Sequence, residues 1–215
     1  VDALWPTIHH YPGATSTRQN LVVIVLESFS KGYTSLGRGK SFTPFLDSLM
    51  QRSTVFTNAY ANSSKSIEGL PAILSSLPSY MDNPFINSRY VNNRQTSLAT
   101  LLSGEGYQTA FFHGGKNGTM NFTEWARLAG YDKYYGMNEY GNDDDYDGFW
   151  GIYDEPFLQY CARELDKLER PFHAAIFTLS SHHPYAIPKK YRSAFSDAGS
   201  DVGAALRYAD RSLKE

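Results

Sequence analysis

An unbroken apolar run near the N-terminus constrains the fold more than any other feature of this 215-residue sequence. Residues 20–27 read Asn-Leu-Val-Val-Ile-Val-Leu-Glu, which is a β-branched run bounded by polar residues. Such a run is typical of a strand buried on both faces of a parallel sheet. Segments 107–112 and 172–179 are similar, and helical patterns separate the three. This alternation predicts an α/β fold with a mostly parallel central sheet and helices on both faces.

Turn and capping residues divide the rest of the chain into shorter predicted elements. Thr43-Pro44 marks a helix start, with Thr43 as the cap and Pro44 at the first helical position. Asp154 is predicted to cap a later helix. The β-branched and aromatic stretch 53–61 predicts a strand, and 131–149 a loop with an acidic cluster. Further helices are predicted at 66–74, 96–103, 122–128 and from Asp201 onward.

Charge and composition exclude several classes of protein. The 20 Lys and Arg residues against 22 Asp and Glu give a net charge of −2, which argues against a nucleic-acid partner. The longest apolar run, residues 21–26, is too short to cross a bilayer. One cysteine, Cys161, excludes an internal disulfide and a cysteine-rich zinc module.

Ligands of open α/β sheets bind beyond the carboxyl ends of the strands, where this sequence places a carboxylate and a hydroxyl. Glu27 ends the first strand and either reaches solvent or serves as a hard-metal ligand on a rigid element. Ser66 follows Lys65 at a predicted helix N-terminus, where free N–H groups and the helix dipole favour an anion or alkoxide. A plain helix cap is the other interpretation of Ser66.

Histidines follow the two other long strands. His113 comes directly after the second, with Lys116 three residues later, and His182 follows the third. A single histidine in a loop is usually just solvated. Two at corresponding positions of a parallel sheet, together with Glu27 and Ser66, favour convergence on one site.

Five short motifs occur in a characteristic order: Leu26-Glu27-Ser28, Lys65-Ser66-Ile67-Glu68-Gly69, Phe112-His113-Gly114, Trp150-Gly151-Ile152-Tyr153-Asp154 and Ser181-His182-His183-Pro184. In this order they resemble the lipoteichoic acid synthase and phosphoglycerol transferase family of the alkaline phosphatase and sulfatase superfamily. The resemblance spans about residues 20–215, predicted as one sulfatase-like domain after an irregular segment at 1–19. It implies an alkaline-phosphatase-like sandwich.

The resemblance implies a role for each motif residue. Glu27 matches the family's first metal-binding carboxylate, and Ser66 matches the nucleophilic threonine that also contacts the metal. His113 and His182 match histidines that hold the phosphoglycerol group, and either could shuttle a proton near neutral pH. The implied cofactor is a divalent metal ion, Mn²⁺ in the first place, with Mg²⁺ or Zn²⁺ as alternatives. Lysines at 65 and 116 are expected to add positive potential for a substrate phosphate.

The sequence departs from the family pattern in two places. Thr119-Met120-Asn121-Phe122 stands where the family has a tryptophan and an arginine, while Trp125 and Arg127 come later, on a predicted helix. The family's remaining metal ligands, an Asp-His pair on a later strand, would follow Glu215. The domain is therefore predicted to be C-terminally incomplete, and these 215 residues alone are expected to be inactive.

The reaction implied for the full-length protein is transfer of phosphoglycerol from a phosphatidylglycerol-like lipid to a hydroxyl of a glycan or polyol-phosphate acceptor. The implied location is the extracytoplasmic face of a bacterial cell membrane, with membrane segments preceding Val1. Two alternatives stay open: a sulfatase or other phosphoesterase of the superfamily, and a non-catalytic fragment that binds lipid head groups or glycans. Against a sulfatase, Ser66 lacks the Pro/Ala and Arg of the formylglycine motif. Residues 143–154 also fit a calcium-loop pattern, although a solvated acidic loop is favoured.

Overall fold

The computed structural model describes residues 17–215, and a four-stranded sheet organises them. The strands are β1 Leu21–Val25, β2 Gln108–His113, β3 Lys133–Tyr135 and β4 Phe172–Phe177. They lie in the order β1-β4-β2-β3, and all neighbours run parallel. The helices are α1 Pro44–Met50, α2 Ser66–Ser75, α3 Leu98–Gly104, α4 Phe122–Leu128, α5 Met137–Tyr140, α6 Asp154–Leu165 and α7 Asp201–Lys214. The predicted α/β class is confirmed.

The sheet has an apolar core on each face, because successive residues of a strand point to opposite sides. In β2, Phe111 belongs to a cluster with Leu70 of α2 and Trp125 of α4. Its neighbour Phe112 belongs to a second cluster with Phe157 of α6. All six residues of β4 are buried, as predicted, because this strand lies between β1 and β2 with helices on both faces.

The prediction that the first strand is buried on both faces is wrong. Leu21, Val22 and Ile24 are 38%, 39% and 44% exposed. Within residues 17–215, β1 pairs only with β4 and forms the edge of the sheet, so its outer side has no neighbour to cover it. An apolar run predicts a strand correctly but cannot say how many strands flank it.

The strand predicted at 53–61 does not form: Phe56 is 80% and Tyr60 90% exposed, and the segment is irregular. Strand propensity expresses packing against neighbouring strands, and none in the described residues pairs with this segment. The segment 131–149, predicted as a loop, contains β3 and α5, so this prediction is wrong. Tyr135 of β3 stacks on Phe112 of β2 with ring centroids 4.5 Å apart. Contact with β2 therefore stabilises a strand that the sequence pattern alone does not indicate.

Helix α1 begins at Pro44 as predicted, but the Thr43 side chain does not cap it. The Thr43 hydroxyl donates to Asp47, while the backbone N–H groups of Phe45 and Leu46 donate to the Asp210 carboxylate at 2.8 and 3.0 Å. A side chain of α7 therefore caps α1 across the fold, which joins the last helix to the first.

Helix α6 begins at Asp154 as predicted, but the capping role assigned to Asp154 is wrong. Tyr153 occupies the cap position, and the Asp154 carboxylate bonds to the residues that follow β4. The other predicted helices, α2, α3, α4 and α7, lie close to their predicted bounds. These helices place the N-terminus of α2 beside the carboxyl ends of β1, β2 and β4.

Candidate active site

Ser66 and Glu27 lie against each other at the carboxyl end of the sheet. Glu27 follows β1, Ser66 is the first residue of α2, and the Ser66 hydroxyl donates to Glu27 Oε2 at 2.6 Å. Lys65, not Ser66, occupies the cap position, and it makes no side-chain cap hydrogen bond. The predicted convergence of these two residues is confirmed, and the alternative that Ser66 merely caps its helix is wrong.

The backbone of Glu27 is fixed on both sides by hydroxyl groups from the segment after β4. The Glu27 N–H donates to Thr178 Oγ1 at 3.1 Å, and the Ser181 hydroxyl donates to the Glu27 carbonyl at 2.5 Å. Ser28 additionally donates to Glu27 Oε1 at 3.0 Å. Sequence reasoning missed Thr178 and Ser181; the only signal was the run Thr-Leu-Ser-Ser directly after a buried strand.

His113 is the last residue of β2 and is almost completely buried, at 2% exposed. Its ring stacks on Phe177, meets Phe122 edge-on, and places Nδ1 3.2 Å from the Tyr134 hydroxyl. Burial lowers the pKa of His113 to about 4, because the charged imidazolium loses its hydration in this apolar setting. His113 is therefore neutral at pH 7, which disfavours the expected role as a proton shuttle near neutral pH.

His182 is half-buried and held from one side only. Its Nδ1 lies 2.8 Å from the His183 carbonyl, and because a carbonyl only accepts, Nδ1 carries the proton. The Trp150 ring lies against His182 with centroids 4.1 Å apart, and the indole N–H donates to the same carbonyl at 2.7 Å. This arrangement leaves Nε2 of His182 available to a ligand.

These side chains line one cavity of about 190 Å³. The predicted site residues Glu27, Ser66, His113 and His182 all contribute to its wall. Lys65 also contributes to the wall and is exposed. Lys116 is not part of the wall; its ammonium lies 5.1 Å from the ring centroid of Tyr146. The cavity is smaller than a typical drug-sized pocket and suits a small head group.

The wall beside His113 is formed by Thr119, Met120 and Phe122, and none of the three carries a charge. Met120 and Asn121 both have left-handed backbone angles, with φ of 48° and 62°. The Asn121 side chain donates to the Ile86 carbonyl at 3.0 Å, which anchors this turn.

The tryptophan and arginine that come later on α4 stay out of the cavity. Trp125 is fully buried in the core. Arg127 pairs with Glu124 on the surface, where its Nε lies 3.0 Å from the carboxylate.

The acidic segment 143–154, which fits a calcium-loop pattern, uses the carboxylate of Asp147 for internal hydrogen bonds. Asp147 Oδ1 accepts the backbone N–H groups of Phe149, Trp150 and Gly151 at 2.7, 2.8 and 3.1 Å. These contacts favour the interpretation as an acidic loop and fix the segment that carries Trp150.

Divalent cations such as Mn²⁺ and Mg²⁺ take oxygen ligands, so the paired oxygens of Glu27 and Ser66 have suitable donor chemistry. Within residues 17–215, however, no group of three or more His, Cys, Asp or Glu side chains lies close enough to hold a metal ion. These residues offer two ligands of a cation site and do not complete one by themselves.

A strand-end carboxylate that holds a hydroxyl at a helix N-terminus, on a parallel sheet covered on both faces, defines a domain of the alkaline-phosphatase-like class. The sequence model of the sulfatase family matches residues 19–215, and the chain belongs to that family.

Two solved structures share this fold over nearly the whole chain. A protein of the alkaline phosphatase superfamily from Vibrio parahaemolyticus superposes with a TM-score of 0.83 and 29% identity, covering 93% of this chain and 50% of the other. A lipoteichoic acid synthase from Listeria monocytogenes superposes with a TM-score of 0.76 and 26% identity, covering 91% of this chain and 50% of the other.

Among curated relatives, lipoteichoic acid synthase 1 of Bacillus subtilis is 26% identical over 208 residues. That match covers 92% of this chain and 33% of the relative, so the chain spans about a third of the length of the curated relatives it matches.

Across residues 17–215, no helix combines the length and apolar character needed to cross a membrane.

Proposed function

We propose that the full-length protein transfers phosphoglycerol from a phosphatidylglycerol-like lipid to a hydroxyl of a glycan or polyol-phosphate acceptor. The observation that carries the proposal is the 2.6 Å hydrogen bond from Ser66 to Glu27 inside a cavity shared with His113 and His182. Similarity to lipoteichoic acid synthases over nine-tenths of the chain supports transfer of a phosphoryl head group.

In this proposal Ser66 is the nucleophile. Because its hydrogen is held by Glu27, the lone pairs of Oγ are free for an electrophile in the cavity. The first step forms the bond from Ser66 Oγ to phosphorus and breaks the bond from phosphorus to the diacylglycerol oxygen, which takes up a proton as Ser66 loses one. In the second step the acceptor hydroxyl oxygen forms a bond to phosphorus and loses its proton, while the bond from phosphorus to Ser66 Oγ breaks and Ser66 regains a proton.

The surrounding residues bind and orient the phosphoglycerol group. The N–H groups at the start of α2 and the ammonium of Lys65 attract the phosphate. His113, neutral and buried, hydrogen-bonds without adding charge, whereas the free Nε2 of His182 can take a proton from the acceptor hydroxyl.

We further propose that Glu27 and Ser66 are two ligands of a divalent cation, with Mn²⁺ favoured over Mg²⁺ and Zn²⁺. The remaining ligands would come from parts of the full-length protein outside residues 17–215. Such a cation stabilises negative charge on the serine oxygen and on the phosphate. The proposed location is the extracytoplasmic face of a bacterial membrane, where the lipid donor and the acceptor meet.

Incubating the full-length protein with phosphatidylglycerol labelled in the head group tests the proposal. We expect the label to become bound to the protein, as read by intact-mass spectrometry, and expect Ser66→Ala to abolish it. Ser103→Ala, which changes an exposed serine far along the chain, is the matched control and should label normally. Label that persists on the Ser66→Ala protein would exclude Ser66 as the nucleophile. Head-group binding without any label would favour the non-catalytic alternative.

A further inference from the structure

Asp154 is a buried carboxylate that none of the proposed chemistry uses. It is 1% exposed, and its Oδ1 accepts the backbone N–H groups of Leu179 at 2.9 Å and Ser180 at 3.1 Å. In return the Ser180 hydroxyl accepts the Asp154 backbone N–H at 2.8 Å. These three bonds tie the start of α6 to the turn that follows β4.

The same turn carries two residues of the candidate site. Ser181, next in the chain, donates to the Glu27 carbonyl at 2.5 Å, and His182 then reaches the cavity wall. Asp154 therefore bonds to Ser180, and the next two residues in the chain are Ser181, which holds Glu27, and His182, which lines the cavity.

A second contact holds the far end of this turn from the same segment. The Trp150 indole donates to the His183 carbonyl at 2.7 Å and its ring lies against His182. Gly151 passes so close to Gly114 that a Cβ at this position would collide with the Gly114 carbonyl oxygen, so the path of residues 150–154 is fixed. Two anchors on a fixed segment thus hold both ends of the turn 179–183.

The hydrogen bonding of Asp154 is asymmetric. Both backbone bonds fall on Oδ1, while Oδ2 is buried without a hydrogen-bond partner among the described residues. Burying a carboxylate oxygen without a partner costs free energy, so the fold retains this group against a penalty. Asp210 offers a contrast, because its two oxygens each accept one backbone N–H of α1, away from the cavity.

We propose that Asp154 is a positioning residue, which sets the turn at 179–183 so that His182 faces the cavity and Ser181 holds Glu27. The inference relies on the proposed function only for the choice of ligand in one of its two tests.

The experiment compares Asp154→Ala and Asp154→Asn with Asp210→Ala, which removes a different buried acceptor of two backbone N–H groups. The first readout is the ring resonances of His182 in ¹H–¹⁵N NMR spectra, assigned with His182→Gln. The second is the Kd for glycerol 3-phosphate by calorimetry on the full-length protein, with urea unfolding as the measure of stability.

We expect Asp154→Ala to shift the His182 resonances and weaken glycerol 3-phosphate about tenfold, since small displacements of a positioned group are costly. Asp154→Asn keeps an acceptor but loses its charge, so an intermediate shift and a twofold to threefold weakening are expected. Asp210→Ala should lower stability while His182 and the Kd stay as in the wild type.

Wild-type His182 resonances and Kd in a destabilised Asp154→Ala protein would reduce Asp154 to a purely structural role and overturn the proposal. If Asp154→Ala does not fold, Asp154→Asn decides by the same two readouts, and unchanged values overturn it. Absence of glycerol 3-phosphate binding in the wild type would count against the proposed function, and the His182 resonances would still test Asp154.

Discussion

The hydroxyl of Ser66 donates to Oε2 of Glu27 across 2.6 Å, although 39 positions separate the two residues in the chain. The contact forms because β1 ends where α2 begins, and hydroxyl groups of Thr178 and Ser181 fix the backbone of Glu27 on both sides. The acceptor is thus set before any ligand arrives, which is how a preorganised site lowers the reorganisation cost of a reaction.

Removing the charge of Glu27 should weaken binding of a divalent cation. In the full-length protein, we expect Glu27→Gln to lower Mn²⁺ affinity by more than about tenfold. The reason is that a neutral amide oxygen replaces an anionic ligand, and even substitutions of residues that support a metal ligand lower metal affinity by about 10–100-fold. Isothermal calorimetry measures the affinity, and Glu105→Gln, at an exposed carboxylate, is the control. Equal Mn²⁺ affinity in Glu27→Gln and wild type would remove Glu27 from the proposed ligand set.

The two lysines singled out from the sequence should behave differently. Lys65 contributes to the wall of the cavity, whereas Lys116 lies over the ring of Tyr146. We expect Lys65→Gln to weaken glycerol 3-phosphate about threefold at low salt, the scale of one exposed charge interaction, and Lys116→Gln to leave the Kd unchanged. The difference should shrink in 0.5 M salt, about the regime in which exposed charges are screened. A larger loss from Lys116→Gln would place the anion elsewhere.

Burial of His113 should make the protein lose stability in acid. The pKa of this imidazole falls from 6.5 in the unfolded chain to about 4 in the fold, so the unfolded chain binds the extra proton between those values. The neutral imidazole therefore contributes about 3 kcal/mol to the free energy of unfolding. This contribution is fully present above pH 6.5 and is lost as the pH falls through 4. His113→Gln should show a smaller acid loss in urea unfolding between pH 7 and 4. A wild-type slope in that variant would contradict burial of a neutral histidine.

Titration of Asp154 should change the pH dependence of stability in the opposite direction to that of His113. Burial raises its pKa from 3.8 to about 6, so the folded chain binds the extra proton between those values. Its stabilising contribution is therefore full below pH 3.8 and is lost as the pH rises through 6, by about 3 kcal/mol. Asp154→Asn cannot titrate, so relative to wild type it should become less stable as the pH falls from 7 to 4. The same series with Asp166→Asn, an exposed carboxylate, should follow the wild type.

The cap that α7 provides to α1 should contribute measurably to stability. Asp210→Ala leaves the N–H groups of Phe45 and Leu46 without their acceptor, and we expect a loss of about 1–3 kcal/mol in the free energy of unfolding. Asp166→Ala is the surface control. A loss no larger than that of the control would mean that water replaces the carboxylate at the helix start.

The convergence of Glu27 and Ser66 could be predicted, because the ends of parallel strands and the helices that follow them meet at one edge of a sheet. The same reasoning placed His113 and His182 correctly, but it could not separate Lys65 from Lys116, since both follow strands or begin helices and only side-chain direction distinguishes them.

The long-range partners of polar side chains could not be predicted. Asp154 and Thr43 lie where local capping is favoured. The Asp154 carboxylate instead accepts from a turn 25 residues away, and the Thr43 hydroxyl donates to Asp47. The N-terminus of α1 is capped by Asp210 instead of Thr43. A capping pattern identifies a carboxylate or hydroxyl near a helix start, but any free N–H within reach satisfies it equally. The exposure of β1 and the irregular conformation of 53–61 were missed for a similar reason, because neighbouring strands decide both.

The left-handed turn at Met120 and Asn121 shapes the cavity through the main chain, with Asn121 anchored to the Ile86 carbonyl. Exchanging the side chain at 120 alters what a head group touches without redirecting the polypeptide, provided the replacement tolerates that conformation. Position 120 is accordingly a place where substitution changes the lining of the cavity, while the hydrogen bond between Ser66 and Glu27 stays as it is.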